Sequence, residues 1–158
     1  MTVARKNPSQ SETIKTEVVC PNDTNPMGIL QGGRLVQWMD IAAAVCAQKH
    51  AGKICVTASI DSVSFENPAR LGDIITIKGK ITRAFNTSME VIVEAWAANT
   101  LANSKNHIST AYFSFVALNE IAKRSTVIPV RPETPEEMEQ YEEALRRKKR
   151  KRPDKELA

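Results

Sequence analysis

The sequence is short of the features that mark many common site types. No apolar run approaches the roughly 18 to 20 residues that a membrane-spanning helix needs, so none is expected. The opening stretch MTVARKNPSQSETIK holds no apolar segment behind its charges, and a secretory signal is not expected there. There are only three cysteines (Cys20, Cys46, Cys55), widely spaced and without a CxxC, and two distant histidines, His50 and His107. That pattern argues against a disulfide scaffold and against a structural zinc site, and no metal is expected. Reduced thiols point to a cytoplasmic protein. Neither GxSxG nor GxGxxG nor GxxxxGK[ST] occurs, which removes the serine nucleophile elbow and the common phosphate loops.

What is present fits one compact domain: 158 residues, 42% hydrophobic and 25% charged. The formal net charge of +4 belongs to one place. Residues 146–152 read RRKKRKR, and without them the rest of the chain is mildly acidic. A basic globular surface for nucleic acid is therefore not expected. The run itself has three readings: a solvated terminus, a contact for RNA or an anionic membrane surface, or an attraction for polyphosphate groups.

Periodicity sets out the elements. Residues 1–12 are polar and are expected to be loose, and 13–20 read as a strand. A loop, PNDTNPMG, leads to 31–50, where Leu35, Met39, Ala42 and Cys46 recur at helical spacing. Trp38, Ile41 and several alanines make most of the circumference apolar, the mark of a buried helix. Lys49, His50 and Gly52 suit its C-terminal end, with a dipole role for His50. Four strands follow, over 54–66, 73–84, 88–98 and 107–118. Their inward sets are Ile54, Val56, Ala58 and Ile60; Ile75, Ile77 and Ile81; Met89, Val91, Val93 and Ala95; and Ala111, Phe113 and Phe115. The first set slips in phase near Asp61-Ser62, which predicts a bulge. Short connections predict mostly antiparallel neighbours. Thr134-Pro135 caps a last helix whose acids lead and whose bases trail, as the helix dipole favours. It has few apolar residues, so it is expected to pack weakly or against a neighbouring subunit. The fold class is α+β: one central helix wrapped by an antiparallel sheet. Its domain runs over 13–130, with a charged helix and basic tail over 131–158. Ile92, Trp96, Tyr112 and Val116 on the outer sheet face are expected to bury in part or against another subunit.

Three features can carry chemistry. Asp40 sits among Trp, Met, Ile and Ala, where a lone carboxylate loses solvation and its pKa is expected to rise. It is either functional or paired with a cation such as Arg34. Gly32-Gly33 opens the helix and leaves backbone N–H groups unobstructed, able to polarise a carbonyl, or it merely relieves crowding there. Asn25 is a turn residue unless the loop brings it to a carboxylate. Cys46 faces the core and is expected to be inert; His107 opens a strand and is expected to be exposed.

The segment N-PMG-ILQGG-RLVQWMD, then VTASIDSVSFENPARLGD, then NTSMEVIVEAW, resembles the hotdog-fold acyl-CoA thioesterases, in particular the cytosolic acyl-CoA hydrolase group. The resemblance covers about residues 14–145. It implies the fold just described, and a homodimer with sheets joined edge to edge, assembled further as a trimer of dimers. It implies that Asn25 of one chain and Asp40 of the other flank one crevice, with Gly32 or Gly33 holding the thioester oxygen. Gln31 stands where relatives often carry His. Coenzyme A enters as part of the substrate and product, with no separate cofactor. Thr57, Ser59, Ser64, Arg83, Ser88 and Lys105 are the implied contacts along its path. The activity implied is hydrolysis of fatty acyl-CoA. The alternatives are a non-catalytic acyl-CoA sensor and a dehydratase, the latter short of a histidine in the loop–helix motif.

Overall fold

A computed structural model describes residues 4–151. Five strands form one sheet: β1 (Thr13–Val18), β2 (Ile54–Phe65), β3 (Ile74–Ala84), β4 (Ser88–Asn99) and β5 (Ser104–Leu118). Their order is β1-β3-β4-β5-β2, and every neighbouring pair is antiparallel. β2 and β3 are consecutive in sequence yet not neighbours, so β2 ends as an edge strand.

Helix α1 (Gly32–Ala51) lies on the inner face and buries Leu35, Trp38, Met39, Ala42, Ala43, Cys46 and Ala47. The inward residues expected on β3, β4 and β5 are all buried against it. Ala42 and Ala43 allow a close approach: a Cβ on Gly79 of β3 would stand 3.3 Å from the Ala42 carbonyl oxygen. A side chain there would push the helix off the sheet.

β2 departs from its simple alternation. Ile54, Val56 and Ile60 are exposed instead of facing the core together. Two register shifts explain it, between Thr57 and Ser59 and between Asp61 and Ser64. The second coincides with the expected bulge and has Ser62 at φ 51°. The first makes Ala58 an extra residue. Thr57 pairs with inward Phe115, whereas Ser59 pairs with Ser114 on the outer face. An edge position removes the other reason for burial, because no strand of this chain covers that side.

Residues 4–12 are not loose. Lys6 bridges to Val130, Pro8 and Ser11 are buried, and Pro8–Gln10 form a 3-10 turn. The Lys6 ammonium donates to the carbonyl oxygens of Lys49 (3.1 Å) and His50 (3.2 Å), satisfying the end of α1 with Gly52 at φ 65°. His50 is fully buried, which displaces the expected role at an exposed helix end. Its Nε2 donates to the Ile128 carbonyl oxygen at 2.8 Å, and Nδ1 is buried with no partner among the described residues. Burial holds the imidazole below its ordinary pKa of 6.5; the Ile128 contact opposes this and nearby Lys6 reinforces it. The unfolded chain takes up a proton below pH 6.5 that the folded chain refuses. Stability is therefore full above that pH and falls with acidification, with a limiting slope of about 1.4 kcal/mol per pH unit for one proton. Thermal unfolding as a function of pH is expected to show this loss, and His50→Gln is expected to flatten it.

The last helix, α2 (Pro135–Lys151), begins where the Thr134 cap places it: Thr134 Oγ1 accepts from the Glu137 N–H at 3.1 Å. It does not wait for a neighbouring subunit. It lies on the outer face of its own sheet. Glu137 pairs with Lys80 at 2.8 Å, and Arg147 pairs with buried Glu90 at 2.7 Å. Burial alone would raise the Glu137 carboxyl, but Lys80 and the Glu133 and Thr134 N–H groups outweigh it and hold the pKa low. Arg83 stacks on Tyr141 and Arg147 on Tyr112, at 3.9 and 3.7 Å from the ring centres. These contacts cover Ile92 and Tyr112 from within the chain. Arg147, Lys148 and Lys151 of the basic run are likewise engaged with the sheet, while Arg152 and the rest of the tail lie outside the described residues, as do residues 1–3. No described helix is long and apolar enough to cross a membrane.

Candidate active site

The loop before α1 is built around Asn25. Its Oδ1 accepts from the N–H groups of Met27 (2.9 Å) and Ile29 (3.1 Å), and its own N–H donates to the Ile29 carbonyl. Gly28 closes the turn at φ 74°, a conformation that costs other residues more. The loop is tied down on its far side by Leu30 N–H to Ala69 O and Leu71 N–H to Gly28 O. With Oδ1 committed to the turn, Nδ2 is the donor end of the Asn25 side chain.

Gly32 and Gly33 are the first residues of α1, as expected. Gln31 occupies the cap position without capping; its amide donates instead to the Thr24 carbonyl. The first turn thus keeps open N–H donors at the positive end of the dipole. Beside them is a cleft of about 340 Å³, whose lining holds Ile29, Leu30, Leu35, Phe65 and Ile108 together with Glu66 and Asn67. A Cβ on Gly32 would meet the Phe65 ring at 3.3 Å and obstruct it, whereas Gly33 faces open space. A largely apolar cleft beside helix N–H groups suits an acyl group whose carbonyl is polarised there.

Asp40 is half-buried on the same helix. The Thr57 hydroxyl donates to its Oδ1 at 2.7 Å. The alternative of an Arg34 partner fails, because Arg34 pairs with Asp23 at 3.2 Å. At 1.5 Å per residue Asp40 stands about 12 Å along the axis from Gly32. One chain therefore does not join Asp40 to its own glycine pair. Beside Asp40 and Thr57 in sequence, Ile41 and Val56 are both exposed.

Of the six residues expected along a coenzyme A path, Thr57 is at Asp40, and Ser59 and Ser88 share a recess on the outer face. Ser64 bonds within the β2–β5 ladder. Arg83 is engaged by Tyr141, and Lys105 lies against Trp96 at 5.6 Å, so neither joins the others. His107 lies inside β5 and is not simply exposed: Nδ1 pairs with Glu66, and Nε2 with Glu94 at 3.3 Å. Burial pushes the Cys46 thiol up to about 11, which keeps it protonated and inert.

The Thioesterase superfamily model matches residues 27–102. A Bacillus subtilis protein named "Uncharacterized acyl-CoA thioester hydrolase YkhA" is 35% identical, over 94% of this chain and 89% of its own. The chain belongs to the hotdog-fold thioesterase superfamily. Among solved structures, the Staphylococcus aureus acyl-CoA hydrolase with butyryl coenzyme A and coenzyme A superposes with a TM-score of 0.88 at 36% identity, covering 95% of this chain and 92% of that one. An apo-hexameric acyl-CoA thioesterase reaches 0.91 at 37% identity, over 98% and 100%. The first curated relatives, acetyl-coenzyme A thioesterases of mouse and rat and a mouse acyl-coenzyme A thioesterase, are much longer, and the chain spans about a quarter of their length.

Two contacts of this hotdog domain escaped the sequence reading. Thr57 holds Asp40, and the Ala58 bulge that sets it there leaves no mark in the unbroken alternation of Ile54, Val56, Ala58 and Ile60. Arg34 is held by Asp23, whose other oxygen accepts from the Cys20 N–H, a short-range turn pattern in PND.

Proposed function

We propose that this protein hydrolyses acyl-CoA thioesters to a free acid and coenzyme A, at sites shared between two copies of the chain. The observation that carries the reading is the separation of its parts: Asn25, Gly32 and a largely apolar cleft at one end of α1, and a Thr57-held carboxylate about 12 Å further along. A second copy related by a two-fold axis brings Asp40 of one chain to the loop of the other, twice over. The unpaired edge of β2 with exposed Ile54, Val56 and Phe65 is the surface such pairing would cover. The solved hexameric relative supports assembly, here as a trimer of dimers. Alanine variants of the S. aureus hydrolase replace an asparagine, an aspartate and a threonine at the same mutual spacing as Asn25, Asp40 and Thr57.

In the proposed reaction the thioester carbonyl oxygen lies at the N–H of Gly32 or Gly33. Asp40 either takes a proton from water, whose oxygen attacks the carbonyl carbon, or attacks that carbon itself to give a transient anhydride that water then hydrolyses; Asn25 Nδ2 orients the water or the substrate. The carbon–sulfur bond breaks, and the coenzyme A thiolate leaves and takes up a proton. Coenzyme A comes and goes with the substrate, and the free thiols fit a cytoplasmic location. Release of free thiol from acyl-CoA of several chain lengths tests the reading. Turnover supports it; tight binding of acyl-CoA without thiol release would replace it with the sensor.

A further inference from the structure

The chain leaving β2 does two things for the cleft beside Gly32: it supplies one wall, and it holds the loop that leads into α1. The Phe65 ring lies beside Gly32, and residues 65–69 all line the cleft. The Ala69 carbonyl accepts from the Leu30 N–H at 2.8 Å, and Arg70 bridges to Ile29. The start of this segment is fastened to β5. A register shift makes Ile108 an extra residue, which enters the cleft while His107 stays on the outer face beside Trp96. The Glu66 N–H donates to the Ile108 carbonyl at 2.9 Å, and the Asn67 amide to the His107 carbonyl at 2.7 Å. Ser109 Oγ donates to the Ser64 carbonyl at 2.6 Å. The fourth fastening joins the Glu66 carboxylate to His107 Nδ1, and of the four it alone links side chains that change charge.

Two hydrogen-bond patterns are open to the ring. In the neutral form Nδ1 donates to Glu66, and Nε2 accepts from the Thr110 hydroxyl 3.0 Å away. In the protonated form both nitrogens donate, and Nε2 has a Glu94 carboxylate oxygen at 3.3 Å. One cation is then shared by two carboxylates from different elements, Glu66 after β2 and Glu94 on β4. Lys78 of β3 and Lys105 of β5 approach the same face, over the Trp96 ring at 5.9 and 5.6 Å. We propose that His107 is a positioning residue of the cleft: through Glu66 it clamps the chain that walls the cleft, and more firmly when its ring is protonated. The hydrogen bond to Glu66 gains charge attraction when the donor is an imidazolium. His107 acts through Glu66 from the outer face of the sheet and does not touch the reacting atoms. That an acyl group fills the cleft rests on the hydrolysis reading; the clamp itself does not.

Paired measurements on the full chain at about pH 5.5 and about pH 8, toward the two ends of the range in which imidazoles change charge, test this. His107→Asn keeps a neutral donor near the place of Nδ1 and is never charged. At the lower pH its KM for acyl-CoA is expected to be about threefold above wild type, the scale of one partly exposed ion pair, with kcat within about twofold. At the higher pH the two proteins are expected to agree. Comparing variant with wild type at each pH cancels the titration of the substrate. Hydrogen exchange reads the clamp without substrate: protection of the Leu30 N–H, which Ala69 holds, is expected to fall about threefold in the variant at the lower pH only. Glu66→Gln closes a double-mutant cycle. Glu66 lines the cleft itself, so the test is its coupling to His107, expected at the lower pH and lost at the higher. Three results overturn the proposal: equal differences at both pH values, which would make His107 merely structural; no difference at either; or kcat falling while KM holds. No thiol release from wild type would end the hydrolysis reading instead, and exchange alone would then decide the clamp.

Discussion

Asp40→Asn is expected to lower acyl-CoA turnover by about 10²- to 10⁴-fold, the range for loss of a positioned general base. The asparagine keeps the shape of the side chain and an Oδ1 that still accepts from Thr57, so the local hydrogen bond survives. Stability is expected to stay within about 0.5 kcal/mol, since Asp40 is half-buried and forms no ion pair among the described residues. Thr57→Val is the graded companion. It removes the donor that orients the carboxylate while leaving the base in place, so its loss of turnover is expected to be smaller. Thiol release and thermal unfolding on the same preparations check both. Normal turnover in Asp40→Asn would take the base away from Asp40, and equal losses in stability and rate would make it a structural residue.

How much of this was legible differs between elements for identifiable reasons. β3, β4 and β5 are interior strands with α1 on one side, so inward residues such as Ile77, Val91 and Phe113 could be picked from alternation alone. α1 declared itself by being apolar nearly all round. β2 did not, because strand order is a long-range property: nothing local in ICVTASI says that the strand is an edge or that Ala58 is bulged. The pairing of Glu90 with Arg147 has no local signal, since each side chain is polar by itself and their partnership spans 57 residues. For the same reason α2 looked too poor in apolar residues to dock. Its contacts are Arg83 on Tyr141, Arg147 on Tyr112 and two ion pairs, where aromatic faces and paired charges do what leucines do elsewhere. Lys6 was invisible in the same way: one cation 43 residues from the carbonyl it caps.

The site residues were legible in kind and not in arrangement. Gly32-Gly33 at a helix start and a lone Asp40 on an apolar helix are local facts. That they lie about 12 Å apart follows only from the helix being straight and unbroken between them. This distance turns a list of residues into a statement about assembly, because it leaves each chain with two halves of different sites. It also changes what a variant of Asn25 can mean. Asn25→Ala removes Oδ1 from Met27 and Ile29 and loosens the turn that presents the helix, so loss of rate there mixes two causes.

Asn25→Asp separates them. The carboxylate retains two acceptors for the Met27 and Ile29 N–H groups and holds the turn, while the amide donor is gone. Turnover is expected to fall by about 10²-fold, the loss of one positioned transition-state donor, with the melting temperature close to wild type. The decisive measurement mixes this variant with Asp40→Asn. Each alone forms dimers in which both shared sites carry one defect. In a mixed dimer the defects collect in one site, and the other receives intact Asn25 from one chain and intact Asp40 from its partner. After subunit exchange at equal amounts, half of the dimers are mixed and each has one working site, so about a quarter of the wild-type rate is expected to return. The recovery should grow with time of exchange and vanish if the chains are kept apart. A mixture no more active than the average of its parents would place Asn25 and Asp40 of the same chain in one site and end the shared-site arrangement.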